Sequence, residues 1–146
     1  MGSLSCGDFQ MIKPHNGGQW TAARMHSFIK SALRQASMRW PPKHEVKRKS
    51  RVERGKYLCN GCKEVVPASL PPLEKGKKRR NNVHVDHIIP VIDPATGFTN
   101  WDDTIGRMFC EEENLQVLCA ACHREVTAKE REIATQRKKL ENNNNE

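Results

Sequence analysis

Aromatic residues are scarce in this chain: one Tyr, three Trp and four Phe among 146 residues, 5% of the total. A chain of this length is expected to form one compact domain with a modest core. With few large apolar side chains and 29% charged residues, that core needs support, and a structural metal is one source of it. Long hydrophobic runs are missing as well. A stretch such as His87-Ile88-Ile89-Pro90-Val91-Ile92 is far too short to cross a bilayer, and no signal peptide is expected. The expected location is therefore the cytoplasm, where conditions are reducing. Cysteines spaced C-x-x-C read there as metal ligands rather than disulfides. The shortage of aromatics also leaves little for base stacking, which weighs against a single-stranded RNA partner.

Acidic residues are nearly absent from the first part of the chain. Residues 1–56 hold 12 Lys/Arg against 3 Asp/Glu, and residues 57–83 hold 6 against 2. Residues 84–146 reverse the balance, with 7 against 12. The overall charge of +8 is thus concentrated where a polyanion would be met, and carboxylates collect where a cation could be held. A solvated basic face without a partner is the plainer alternative.

The pattern along the chain divides it into four regions. Residues 1–20 are Gly-rich and without period, expected as a flexible arm. Residues 21–56 form a basic helical region. Thr21 is placed to cap a helix to about Ser37, with Met25, Phe28, Ile29, Ala32, Leu33 and Ala36 on one stripe. Trp40-Pro41-Pro42 stops it, and a second helix is expected over about Lys43–Arg54, ending at Gly55. Residues 57–140 then hold a tight Asn60-Gly61 turn between cysteines, a short strand at Val65-Val66 and a basic-tipped loop over 67–82. A strand at Val83–Ile89, a helix over Trp101–Phe109 capped by Asn100, a strand at Leu115–Leu118 and a charged helix from about Ala120 to Leu140 follow. The Asn-rich residues 141–146 are expected to be disordered.

Two cysteine pairs stand out. Cys59 and Cys62 form one C-x-x-C and Cys119 and Cys122 another, with 56 residues between the pairs. Four thiolates close a tetrahedral zinc site with no open position, which makes it structural. The alternative is two unrelated pairs. Cys110 reads as a small buried residue, and Cys6 carries no signal.

Between and beside these pairs lie His84-Val85-Asp86-His87 and Asn114-Leu115-Gln116-Val117-Leu118-Cys119-Ala120-Ala121-Cys122-His123. In these residues the chain resembles the HNH (His-Me finger) nucleases: an Asp-His dyad, then Asn, then His nine residues after it, within the zinc-bearing C-x-x-C branch. The resemblance covers about residues 57–130. It implies a small α+β fold with a ββα-metal core, treble-clef-like, carrying a structural zinc and preceded by basic helices. It implies that Asp86 and His123 ligate one catalytic divalent cation, Mg²⁺, Mn²⁺ or another. His87 would then be the general base and Asn114 the brace of the loop that aims it. Neighbouring strand residues point to opposite faces, which suits a metal ligand beside a base. An imidazole, with an ordinary pKa near 6.5, accepts protons at neutral pH.

Two departures matter. His87 and Asn114 lie 27 positions apart, more than in compact members, so residues 93–110 read as an insertion serving as a lid or DNA contact, and Asn100 becomes a rival brace. The place four residues after His123 is Thr127, a poor ligand. Phe28–Arg34, Arg39–Pro42 and Arg54–Tyr57 further resemble phage-encoded HNH nucleases. Arg34, Arg39, Lys43, Lys47, Arg48 and Arg51 are then candidates for phosphate contacts. The implied partner is double-stranded DNA, met as a monomer or dimer, with other phage proteins and a host-cytoplasm location if the chain is phage-encoded. A non-catalytic zinc-stabilised DNA-binding module is the alternative. His84 reads as a surface residue or a phosphate contact.

Overall fold

The computed structural model describes residues 12–145, in two units that part after Ala36. In the first unit a turn at Asn16, Gly17 and Gly18, all at positive φ, is closed by a bridge between His15 and Trp20. Helix α1 (Ala22–Ser37) starts where the Thr21 hydroxyl accepts the Arg24 N–H at 3.1 Å, the capping role its sequence predicts. Trp20 packs on Phe28 with ring centroids 5.1 Å apart, and the Arg24 guanidinium lies over the Trp20 ring. The rest of the N-terminal arm, residues 1–11 with Cys6, lies outside the described residues.

The second unit is small α+β. It begins with α2 (Pro41–Ser50), started by proline in its first turn. The helix ends at Ser50, earlier than the expected Arg54, because residues 51–53 are taken into β1 (Arg51–Glu53). This strand pairs with β2 (Lys56–Leu58) across a turn at Arg54-Gly55, and β2 pairs with β3 (Val65–Pro67). Gly55, at φ +75°, makes a hairpin turn rather than a helix cap. The expected loop 67–82 contains a further pair, β4 (Ser69–Leu70) with β5 (Arg80–Asn81), steadied by Arg80 donating to the Pro71 carbonyl at 3.0 Å.

The centre is built from β6 (Val83–His87), α3 (Trp101–Met108), a 3-10 turn at Glu112–Asn114, β7 (Leu115–Cys119) and α4 (Ala120–Asn144). Strands β6 and β7 pair antiparallel with Val83 opposite Cys119 and His87 opposite Leu115, and α4 leaves directly from the end of β7. Asn100 caps α3 as expected, accepting the Asp103 N–H at 2.8 Å. Helix α4 runs to Asn144, past the expected end at Leu140, and its final residues are all exposed. Among the described residues no helix is long and apolar enough to cross a membrane.

The core is small and sits on the cysteines. Cys59, Leu118 and Cys119 are buried together, with Val66, Cys122 and Val126 against them. Buried Asn82 stitches this region together. Its amide donates to the Pro67 carbonyl at 2.9 Å and its oxygen accepts the Ala120 N–H at 3.2 Å. The second contact satisfies a donor of α4's first turn that Cys119, at the cap position, leaves unmet.

Candidate functional site

The first cluster is the cysteines. The Sγ atoms of Cys59, Cys62, Cys119 and Cys122 all lie within 4.8 Å of one another, so the four thiols could hold a metal ion such as zinc. The turn after β2 makes this possible. Lys63, at φ +63°, returns its N–H to the Cys59 carbonyl at 3.0 Å, and the Cys59 N–H reaches the Glu64 carbonyl at 2.9 Å. Gly61 is required by close approach: a Cβ there would stand 2.9 Å from the Cys122 Sγ and 3.0 Å from its Cβ. Burial pushes the Cys59 thiol up. The backbone N–H groups of Cys119, Cys62 and Gly61 together outweigh it and bring the pKa to about 6. Cys122, hydrogen-bonded to Cys119, desolvated and close to Cys59 and Cys62, is pushed up to about 12. Four converging thiols, with the thiolate favoured at Cys59, have the donor chemistry of a cation site.

The second cluster surrounds His87, the last residue of β6. Its Nε2 lies 3.0 Å from the carbonyl oxygen of Met108. A carbonyl only accepts, so Nε2 carries the proton, and in the neutral ring Nδ1 keeps its lone pair. The carbonyl belongs to the last residue of α3, which is itself anchored. Trp40 donates its indole N–H to the Cys110 carbonyl at 2.7 Å and meets Phe109 edge-on at 5.5 Å. Farther back in the insertion, Gly97 lies directly under the Arg137 guanidinium of α4. The insertion therefore packs at both ends and places one carbonyl on the imidazole of His87.

Asn114 closes the chain after His87. Its Oδ1 accepts the Ile89 N–H at 2.8 Å, its Nδ2 donates to the Ile89 carbonyl at 3.4 Å, and its own carbonyl accepts the Ile88 N–H at 2.9 Å. These bonds end β6 at His87, two residues before the expected Ile89. Asn100, the rival brace, is occupied in capping α3.

The third cluster faces α4. The imidazoles of His84 and His123 stack at 4.6 Å with planes 20° apart. Asp86, two residues along β6 on the face of His84, has its Oδ2 buried with no hydrogen-bond partner. Such an oxygen costs free energy unless a cation or donor reaches it. Glu130 lies seven residues after His123, on the same face of α4. Its carboxyl is raised first by burial and then by the charge of Asp86, with His123 opposing. His84 is lowered first by burial and then by His123. Among the described residues the four cysteines are the one group of three or more potential ligands whose donor atoms close to within 4.8 Å, so Asp86, His123 and Glu130 do not draw together as a trio of that spacing.

The candidate basic residues are dispersed. Lys43, His44 and Lys47 share a groove with His84 and His123. Arg48 is paired with Glu45 at 2.8 Å on the surface, Arg51 sits on β1 with its guanidinium toward the Glu53 carbonyl, and Arg39 is exposed before α2. Arg34 belongs to α1 in the first unit.

Sequence reasoning missed the Met108 carbonyl and Glu130. The first had no signal, because a backbone oxygen is delivered by any residue type. The second had one: a spacing of seven on a long helix returns to the same face. No protein-family model, curated protein or solved structure matches this chain.

Proposed function

We propose that the protein is a metal-dependent DNA endonuclease or nickase of the HNH type, with β6, β7 and the start of α4 as its ββα-metal core and zinc in the four-cysteine cluster. The observation that carries this reading is the contrast between adjacent residues of β6. Asp86 presents a buried carboxylate oxygen without a partner, and His87 presents an imidazole pinned through one nitrogen with the other left to accept a proton. Folding alone does not call for that combination.

Asp86 and His123 fit a divalent cation through a hard carboxylate oxygen and an imidazole, a donor set that leaves room for phosphate oxygens and water. Such a cation supplies charge neutralisation at the phosphoryl group and the leaving oxygen. His87 takes the proton from the attacking water at Nδ1, Met108 fixes its tautomer, and Asn114 holds the loop that sets its angle. Incubating zinc-loaded protein and supercoiled plasmid with Mg²⁺ or Mn²⁺ is expected to yield nicked and then linear DNA. Plasmid left supercoiled across a series of divalent metals removes the nuclease reading and leaves a zinc-stabilised binding module.

Glu130 takes part in this reading as a carboxylate near both ligands, where Thr127 offers none. Glu130→Gln is expected to raise the Mn²⁺ concentration for half-maximal cleavage about tenfold, the scale of outer-sphere partners of metal ligands. Calorimetric titration of Mn²⁺ should show the same loss. Equal affinity in both proteins would disconnect Glu130 from the site.

A further inference from the structure

One surface concentrates unpaired positive charge. Between α2 and β6 runs a groove of about 410 Å³, walled by Lys43, His44 and Lys47 on one side and Asn81 and His84 on the other, with His123 also in its lining; among the described residues no carboxylate lines it. The charges of α2 are sorted by helix face. Lys43, His44 and Lys47 stand at positions i, i+1 and i+4, which share one face. On the remainder of the helix Arg48 is neutralised by Glu45 at 2.8 Å and Lys49 by Glu112 at 2.9 Å. Neither Lys43 nor Lys47 joins an ion pair among the described residues. Both are held in place: the Lys43 ammonium donates to the Ser37 hydroxyl at 3.2 Å, and that of Lys47 lies 5.7 Å from the Tyr57 ring centroid.

We propose that this groove seats the DNA phosphodiester backbone beside the scissile phosphate, with Lys43 and Lys47 as the phosphate contacts. The inference rests on the nuclease reading for its placement next to the cleaved bond. Lysine meets phosphate as a point charge and needs no fork geometry. Two such charges at one helical turn's spacing hold successive phosphates of a strand, and His84, stacked on His123, joins the groove wall to the ligand of the cation. Phosphate contacts of this kind set register rather than sequence.

The test is binding of a short labelled DNA duplex, followed by fluorescence anisotropy over a range of KCl, with zinc-loaded protein and no other divalent cation. Each phosphate neutralised contributes about 0.9 to the slope of log K against log salt. Lys47→Gln is expected to flatten the slope by about one unit, and Lys43→Gln with Lys47→Gln by about two. Lys49→Gln, whose charge is already met by Glu112, is expected to leave it at the wild-type value. Zinc content and melting temperature are measured for each variant, and Lys47→Gln alone decides the matter if loss of the Lys43–Ser37 bond unfolds the double variant. A wild-type slope in Lys47→Gln, an equal flattening in Lys49→Gln, or no DNA binding at low salt overturns the groove. Because no catalytic cation is present, the two readings fail separately. A protein that never cuts plasmid while Lys47→Gln flattens the slope retains the groove as a DNA site and loses the nuclease. A protein that cuts with a slope indifferent to Lys47 loses the groove alone.

Discussion

Replacing His87 by alanine is expected to lower the single-turnover rate of plasmid cleavage by at least about 100-fold, while zinc content and melting temperature stay close to wild type. General-base catalysis contributes roughly 10²–10⁴ in rate, and in the proposed mechanism no neighbouring group can replace this one. Asp86 is committed to the cation, and His84 is stacked on His123 at 4.6 Å, on the face of β6 opposite His87. The structural loss is small by comparison. The ring is half-buried and makes one hydrogen bond, to the Met108 carbonyl at 3.0 Å, worth about 1 kcal/mol net. Water can reach that carbonyl once the ring is gone. The measurement is cleavage of supercoiled plasmid under saturating Mn²⁺, with wild type and variant at equal zinc loading. Cleavage by His87→Ala at the wild-type rate would remove His87 as the base. A variant that lost zinc as well would show instead that the imidazole matters for folding, and an anisotropy measurement of DNA binding would separate the two.

The cysteine cluster and the Asn114 contact were legible because their signals are local. The C-x-x-C pairs, the Asp86-His87 dyad and the nine-residue step from Asn114 to His123 are short spacings, and the structure brings each cysteine to the others within 4.8 Å. Asn114 does hydrogen-bond the loop after His87, although 27 positions of chain intervene. What was not legible depends on partners distant in sequence. The second helix read as continuous to Arg54 because Arg51–Arg54 are compatible with a helix; pairing with Lys56–Tyr57 takes those residues into a hairpin, and strand pairing overrides local propensity. The loop at 67–82 read as irregular because β4 and β5 are two residues each, too short to show a period. The insertion reads from sequence as a lid or a DNA contact, and its carbonyl on His87 is not foreseen, because composition does not say where a backbone carbonyl points. A count of basic residues does not show which of them have acidic neighbours: Arg48 lies beside Glu45 and Lys49 beside Glu112, while Lys43 and Lys47 face a groove.

Stripping the metal from the four cysteines is expected to abolish fold and cleavage together, and restoring Mg²⁺ or Mn²⁺ alone is expected to recover neither. The reason lies in how little else holds this unit. Its buried cluster is Cys59, Leu118 and Cys119 with Val66, Cys122 and Val126 around them, so the thiols form part of a small core that otherwise holds Val83, Met108, Leu115 and Val117. Apparent zinc-binding free energies in small four-ligand sites are about 10–16 kcal/mol, as large as the whole stability of a typical domain, about 5–15 kcal/mol. The connections to the proposed catalytic groups are short. Cys119 ends β7 and donates its N–H to the Cys59 Sγ at 3.2 Å, Cys122 immediately precedes His123, and β7 pairs with β6 along Val83–His87. Loss of the cluster therefore frees the start of α4, His123 with it, and the strand that aligns Asp86 and His87. Cys119→Ser should behave like the chelated protein, because a buried hydroxyl in place of a thiolate weakens the metal and leaves a polar atom in the core. The checks are elemental analysis of protein purified with reduced cysteines, expected to give a single zinc per chain, and circular dichroism melting before and after treatment with a chelator. Reduced protein that carries no tightly bound metal and still melts cooperatively would overturn the zinc assignment. Chelated protein that stays folded yet cannot cut until Mn²⁺ is added would show that the cysteines stabilise less than proposed, and that the cation at Asp86 and His123 binds to a scaffold already formed.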